Sequence, residues 1–249
     1  MIIMKRKLFL NIYWKLQSFI APNLRYSQNI FEDILTKYCN PGNVWLDVGC
    51  GRQLLSSWRY QQEIELVSMT KSIVGIDYDY WSLTKHKTIK NRVRGDITKL
   101  PFPNDSFDLI TSNMVFEHLD NPADQLIEIS RVLKPEGKLI FHTPNTLGYS
   151  TIIAKVIPEA IKDKIIGLLS GRKEEDVFPA FYRINSPSRI TKLAKESGLK
   201  IVKISMICSS ALLVIFPPIV FFELLWIRLL MTGIMKPFRT NIIAILEKA

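Results

Sequence analysis

Apolar runs of strand length recur along the middle of the chain and stop at acidic or small polar residues. The first is VWLDVGCG, Val44 to Gly51, and the second SIVGIDYD, Ser72 to Asp79. A short strand is predicted around Val93. A fourth lies in SFDLITSNMVFEHL, Ser106 to Leu119, and runs on into a loop. In RVLKPEGKLIFHTPN, Arg131 to Asn145, the pattern reads as a helix end, a Lys-Pro-Glu-Gly turn and a fifth strand. A further strand is predicted in Thr240 to Lys248, from its alternation and length. Apolar strands that alternate with helical stretches describe a doubly wound, three-layer α/β sheet.

The chemistry of the first two strand tips narrows this picture. Gly49 and Gly51 let the backbone approach a ligand with no Cβ in the way. A dinucleotide fingerprint has a third glycine and a helix N-terminus under a pyrophosphate. Here Gln53 stands where that glycine would fall, and Asp47 closes the strand. A carboxylate there repels a pyrophosphate and suits a cationic ligand. Asp77 ends the second strand, where a carboxylate suits ribose hydroxyls. Asp96 follows the short third strand and is placed to accept from an adenine amino group. The loop after the fourth strand carries Asn113, Glu117 and His118. Each acidic residue also has a plain reading, as an N-cap for Asp47 or a turn carboxylate for Asp77 and Asp96. Their order at successive strand tips favours the ligand.

In combination, DVGCG, GIDYD, GDITKLPFPNDSFD, EHL and RVLKPEGKL resemble a class I methyltransferase dependent on S-adenosylmethionine (SAM). The likeness is closest to small-molecule enzymes of the ubiquinone-pathway O-methyltransferase kind. It covers about a hundred residues, Val44 to Asn145. The resemblance implies a Rossmann-like sheet of seven strands, mostly parallel, with the last one antiparallel. It implies SAM as cofactor, with Asp47, Gly49, Cys50 and Gly51 at its methionine end. Asp77 would take the ribose and Asp96 with Ile97 the adenine, and Tyr78 and Asn113 are further candidates for the cofactor site. His118 is either the general base for an acceptor hydroxyl or a pocket wall. Glu117 and His118 lack a clear third ligand for a divalent ion, so no metal is assigned.

Charge and the chain ends extend this reading. The formal net charge is +10, which points to nucleic acid, an anionic membrane surface or a solvated basic face. No aromatic-basic stripe or added binding domain supports nucleic acid. The first twenty residues hold Lys5, Arg6, Lys7 and Lys15 and no acid, with Leu8, Ile12, Leu16, Phe19 and Ile20 at helical spacing. That is a basic amphipathic helix, for a membrane interface or for packing on the catalytic domain. Asn11, Lys15 and Gln17 interrupt its apolar stretch, and no small-residue cleavage site follows, which argues against a signal peptide. Cys39, Cys50 and Cys208 form no disulfide framework and fit a reducing compartment.

From Met206 to Met231 the chain is long and apolar enough to span a bilayer, but Pro217 and Pro218 stand in its middle and Glu223 and Arg228 in its second half. The proline pair is expected to break a helix there. If Thr240 to Lys248 is the last strand, the stretch must return to the side it left, or lie flat. The resemblance implies a sixth strand near Lys200 to Ile207 that ends at the ligand-binding edge, so this insertion is expected to emerge beside the methyl donor.

The expected organisation is a helical segment over residues 1–38 and a methyltransferase domain over 39–249. That domain carries a cap-like insertion at 146–185 and an apolar one at 208–235. The first insertion holds a helix near Ile152 to Leu169, a charged turn over Gly171 to Asp176, and then Tyr182 and Arg183. Both are candidates for the acceptor cleft. Arg183 suits a carboxylate or phosphate and equally a surface ion pair. Ser186 or Ser188 is a candidate cap for the helix that ends at Gly198. The expected function is methyl transfer from SAM to a hydroxyl of a small or amphiphilic, even lipid-linked, acceptor. The place expected for it is the cytoplasmic face of the inner membrane, peripheral or monotopic. The rival readings are a methyltransferase for a soluble sugar or natural product, and a non-catalytic membrane-associated protein that keeps the fold.

Overall fold

The computed structural model describes residues 2–157, 179–214 and 217–249. Its central sheet has seven strands in the order β3-β2-β1-β4-β5-β7-β6. These are β1 (Val44–Val48), β2 (Ser72–Asp77), β3 (Asn91–Arg94), β4 (Phe107–Asn113), β5 (Leu133–Pro144), β6 (Leu199–Ile207) and β7 (Asn241–Lys248). Six run parallel and β7 runs antiparallel. The helices are α1 (Ile2–Ile20), α2 (Ser27–Tyr38), α3 (Tyr60–Met69), α4 (Tyr80–Lys85), α5 (Pro122–Val132), α6 (Tyr149–Val156), α7 (Pro187–Glu196) and α8 (Pro217–Leu230). The strand order reverses at β1, between β2 and β4. In such sheets the crevice for ligands opens at that point, beyond the carboxyl ends of the strands.

The chain divides into two compact units. The first holds Gln28–Pro144, Ala180–Ser205 and Ile242–Ala249. Its inner strands β1, β2, β4, β5 and β7 are mostly buried, which is why they read as near-continuous apolar runs, whereas the edge strands β3 and β6 are largely exposed. Leu46, Ile110, Leu139 and Phe141 form the core with Leu126 and Ile129 of α5 and Ile190 of α7. Phe116 and Phe141 stack with centroids 4.0 Å apart. The helix α7 begins as its sequence indicates: Pro187 opens it and the Ser186 hydroxyl accepts the Arg189 N–H. Lys-Pro-Glu-Gly is not a separate turn. It lies within β5, where Glu136 takes a left-handed φ of 63° and the pairing with β4 shifts register between Phe107 and Leu109. That is the irregularity of a β-bulge.

α2 belongs to the sheet unit and not to the N-terminal segment that its position suggested. Phe31 and Leu35 are buried, and Phe31 stacks on His142 at 5.6 Å. The side chain of Glu32, fully buried, accepts bonds from Ser56 and Arg59.

The second unit holds Met1–Ser27, Asn145–Pro179 and Met206–Asn241. The first insertion is described only to residue 157 and from 179 on. The expected helix to Leu169 and the charged turn Gly171 to Asp176 therefore lie in part or wholly outside the described residues. Tyr13 and Ile20 of α1 pack with Val220, Leu224, Ile227 and Leu230 of α8. The Pro217–Pro218 pair does not break α8; it starts it. Proline fits the first turn, where a backbone N–H has no intrahelical acceptor. Arg239 donates to the carbonyls of Leu230 and Met231 at the other end of α8, where a cation also suits the helix dipole. α8 has 14 residues, about 21 Å of helix. Among the described residues no helix is long and apolar enough to cross a membrane.

Candidate active site

The backbone after β1 turns sharply at two left-handed glycines, Gly49 at φ 69° and Gly51 at φ 54°. The Gly49 and Cys50 amides donate to the Ile76 carbonyl of β2 at 2.8 and 3.2 Å. A Cβ on Gly49 would lie 2.2 Å from Val115 Cγ2, so the glycine lets the turn close onto the loop after β4. A Cβ on Gly51 would meet nothing within 4 Å. Gly51 thus presents bare backbone to open space, as a turn that approaches a ligand must.

Asp77 fixes the same turn. Its Oδ2 accepts the Gly51 N–H and its Oδ1 the Asp79 N–H, each at 2.8 Å. Burial raises its carboxyl above the ordinary range, and these two donors partly offset that. Each oxygen keeps a lone pair for a further donor. Asp79 closes the arrangement by capping α4, accepting from the Trp81 and Ser82 amides.

Asp47 is buried at the tip of β1, level with Thr111 of β4. The Trp45 indole N–H donates to Thr111 Oγ1 at 2.7 Å, and the Thr111 hydroxyl donates to Asp47 Oδ1 at 2.5 Å. With the indole as donor, the hydroxyl proton must point at the carboxylate, so the orientation of Asp47 is set by its neighbours. Burial pushes its carboxyl up to about 7; the Thr111 bond counters this, and the charges of Asp77 and Glu63 add to it. The site carries excess negative charge and favours a cation.

The missing third glycine has a local explanation. α3 begins only at Tyr60, after a 3-10 turn at Ser57–Arg59. Gln53 therefore lies in a loop, and no helix starts directly behind the turn. Two buried glutamates hold this loop. Glu63 accepts the Leu55 N–H at 2.9 Å, and Glu32 accepts both the N–H and the hydroxyl of Ser56 at 2.8 Å. Neither glutamate, nor Thr111 and Val115, was singled out from sequence. Thr111 and Val115 look like ordinary apolar-run residues, and a buried acid on a helix has no sequence mark apart from its apolar neighbours.

The remaining predicted residues fall into distinct roles. Cys50 turns its sulfur toward Gly75, where a Cβ would lie only 2.7 Å from Sγ, so its side chain packs into the sheet. Its N–H is bonded to Ile76, which leaves it the role of shaping the turn. Asn113 is bonded at both ends of its amide: Nδ2 donates to Gln28 at 2.9 Å, and Oδ1 lies 2.9 Å from His142 Nδ1. These bonds order the tip of β4. Burial lowers the His142 imidazole to about 4, so it is neutral and structural. Tyr78 is largely exposed after β2, its ring 5.8 Å from the Arg94 guanidinium. Asp96 is exposed, with one oxygen on the Thr98 N–H at 2.9 Å, and Ile97 packs partly into the core.

A second cluster gathers around the loop after β4. His118 ends the 3-10 turn Phe116–His118, with Nε2 4.0 Å from Glu117 Oε1. Glu117 is buried and accepts the Thr143 hydroxyl at 3.1 Å; burial raises its carboxyl, against the pull of His118. The Glu117 carbonyl accepts the amides of Phe181 and Tyr182 at 2.8 and 3.0 Å. Tyr182 takes a φ of 53°, and burial and Glu117 raise its phenol. Arg183 donates to the Asp120 carbonyl and lies over the Phe181 ring at 5.3 Å. His118, Tyr182 and Arg183 are therefore neighbours across one loop contact, and the Gly49–Val115 contact joins the glycine turn to the same loop.

The fold and these two clusters define the class. Residues 46–141 match a family model described as a methyltransferase domain. This match, the fold and the relatives described below support a class I SAM-dependent methyltransferase domain over these residues. An uncharacterized methyltransferase of Schizosaccharomyces pombe is 33% identical over 112 residues, covering 41% of this chain and 40% of that protein. A malonyl-[acyl-carrier protein] O-methyltransferase of Halalkalibacterium halodurans is 31% identical over 106 residues, 39% of this chain and 38% of that protein. This chain thus spans about two fifths of the length of the curated relatives it matches. The crystal structure of an S-adenosylmethionine-dependent methyltransferase from Mesorhizobium loti shares the fold. Its TM-score is 0.54 at 17% identity, over 87% of this chain and 96% of that one. The residues present are compatible with SAM: Gly51 presents an open backbone turn, and the carboxylates of Asp77 and Asp47 would suit hydroxyl donors and a cation.

Proposed function

We propose that this protein transfers a methyl group from SAM to a hydroxyl oxygen of a small or amphiphilic acceptor. The observation that carries this reading is the contact of the Gly49–Gly51 turn, ringed by Asp47 and Asp77, with the loop that holds His118. SAM supplies an activated methyl on a sulfonium, which leaves as the neutral thioether. Asp47 would pair with the amino group, Asp77 would accept from the ribose hydroxyls, and Asp96 from the adenine amino group. The protein's main contribution is to hold acceptor oxygen and methyl carbon in line. His118 would take the hydroxyl proton on Nε2, and Glu117 beside it would stabilise the imidazolium formed. Tyr182 and Arg183, on the facing loop, would border the acceptor. A lipid-linked acceptor, met at the cytoplasmic face of a membrane, is favoured by the apolar outer face of α8.

The test is a transfer assay with methyl-labelled SAM and a total lipid extract, followed by mass spectrometry of any species that gains a methyl. Asp77→Ala should weaken SAM and S-adenosylhomocysteine binding by about 1–3 kcal/mol, because the ribose hydroxyls lose their acceptor. Calorimetry that finds no binding of either ligand to the intact protein would refute the reading. So would unchanged affinity in the variant.

A further inference from the structure

The apolar stretch 206–231 holds two charged residues, and both are engaged with the protein. Glu223 is buried and accepts the Tyr149 hydroxyl and the Leu212 amide, each at 2.7 Å, and the Leu213 amide at 3.0 Å. Arg228, at the border of the exposed arc, donates to the Ile20 carbonyl at the end of α1 at 2.6 Å. One stripe of α8, formed by Val220, Leu224, Ile227 and Leu230, is fully buried. The opposite stripe, Ile219, Phe222, Trp226 and Leu229, is exposed, with Phe222 at 69%. α1 adds exposed Trp14 and Phe19, the latter at 84%, and the loop after α8 adds Ile234 at 90%. A solvated helix keeps its polar residues on that side, and a run of exposed aromatic and aliphatic side chains of this kind marks a contact surface.

Charge identifies the partner. In sequence, the unit that contains α1 and α8 has thirteen Lys and Arg against six Asp and Glu, a net +7 of the chain's +10. Its first 27 residues contain no acid. Lys15 and Lys236 are exposed. A second copy of this chain would bring like charge against like charge, which disfavours self-association. An anionic surface with an apolar interior complements both properties at once.

We infer that the α1–α8 unit docks in the plane of an anionic lipid bilayer. Phe222, Trp226, Ile219 and Leu229 enter the boundary between headgroups and acyl chains, and Lys15 and Lys236 face lipid phosphates. α8 lies in the interface and does not cross it. Its length of about 21 Å falls short of the roughly 30 Å of a hydrocarbon core. Apolar insertion and basic attraction together are the two signals that stable peripheral binding needs. This deepens the amphiphilic-acceptor reading. Vesicle binding requires no methyl donor, so its failure and the failure of methyl transfer are separable.

The experiment is flotation of the purified full chain with vesicles of phosphatidylcholine, with and without phosphatidylglycerol. The protein should float with the anionic vesicles, less with the neutral ones, and added salt should weaken binding. Phe222→Ser with Trp226→Ser should lower the partition coefficient by about tenfold or more, with the circular dichroism spectrum and melting temperature kept. If that pair fails to fold, Lys15→Glu with Lys236→Glu should remove the preference for anionic vesicles. The inference is overturned if the wild-type protein stays with the solvent, or if a folded variant floats as well as the wild type. It is equally overturned if sedimentation shows a wild-type dimer that the Ser substitutions dissolve.

Discussion

Asp47 should couple donor binding to pH. Its carboxyl lies at about 7 in the folded protein, against an ordinary 3.8, chiefly because of burial. Between those values the unfolded chain is ionised at this residue and the folded one is not. Stability therefore falls as pH rises from about 4 to about 7 and levels off above. At 1.36 kcal/mol per unit, the penalty reaches at most about 4 kcal/mol. Asp47→Asn keeps an oxygen for the Thr111 hydroxyl and removes the ionisation. Without ligand, the variant should melt higher than wild type at pH 8 and alongside it near pH 4. Ligand binding reverses the sign, because an ammonium group selects the ionised carboxylate. Affinity for S-adenosylhomocysteine should rise about tenfold per pH unit up to about 7. It should fall again only at more alkaline pH, where the ligand's own amino group deprotonates. Below pH 7, binding should release close to one proton. Calorimetry in two buffers of different ionisation enthalpy measures both the affinity and the proton count. An affinity flat from about pH 5.5 to 7 with no proton released would refute the assignment of Asp47 to the amino group. The same slope in Asp47→Asn would refute it as well.

Three further outcomes are expected. His118→Ala should lower turnover by about 10²–10⁴-fold with donor affinity nearly unchanged, since a general base acts in the transition state; full activity across neutral pH would make His118 a wall residue. Gly49→Ala should destabilise the fold by about 1–3 kcal/mol through overpacking against Val115, and Val115→Ala in the same chain should recover part of that in a thermal melt. Gly51→Ala should cost the fold only about 1–2 kcal/mol of left-handed strain yet weaken S-adenosylhomocysteine binding more than any other change at the turn, because its Cβ enters open space that the ligand would fill.

Much of the sheet was legible because its inner strands are mostly buried, so that their apolar runs stand out without any knowledge of their neighbours. The tips were legible too. A glycine that must take a positive φ, and an acid that ends an apolar strand, are local features. Asp47, Gly49, Gly51 and Asp77 needed no tertiary information to be singled out. The capping of α7 by Ser186 is local in the same way.

Other features were decided by what the fold brings together. The orientation of Asp47 depends on Thr111 and Trp45, and Thr111 lies 64 residues away in sequence. Gly49 is needed because Val115 presses on it. Cys50 and Asn113 sit among the predicted ligand contacts, but packing turns the first inward, and Gln28 and His142 engage the second. The proline pair shows the limit most clearly. Its chemistry forbids a helix interior and permits a helix start, and both fit the same sequence. Which of them holds depends on where the chain turns before Pro217. Glu223 and Arg228 read as interruptions of an apolar run, yet Tyr149 and the end of α1 take both up. Periodicity reports which side of an element is apolar; only the assembled neighbours determine which part of that side is covered.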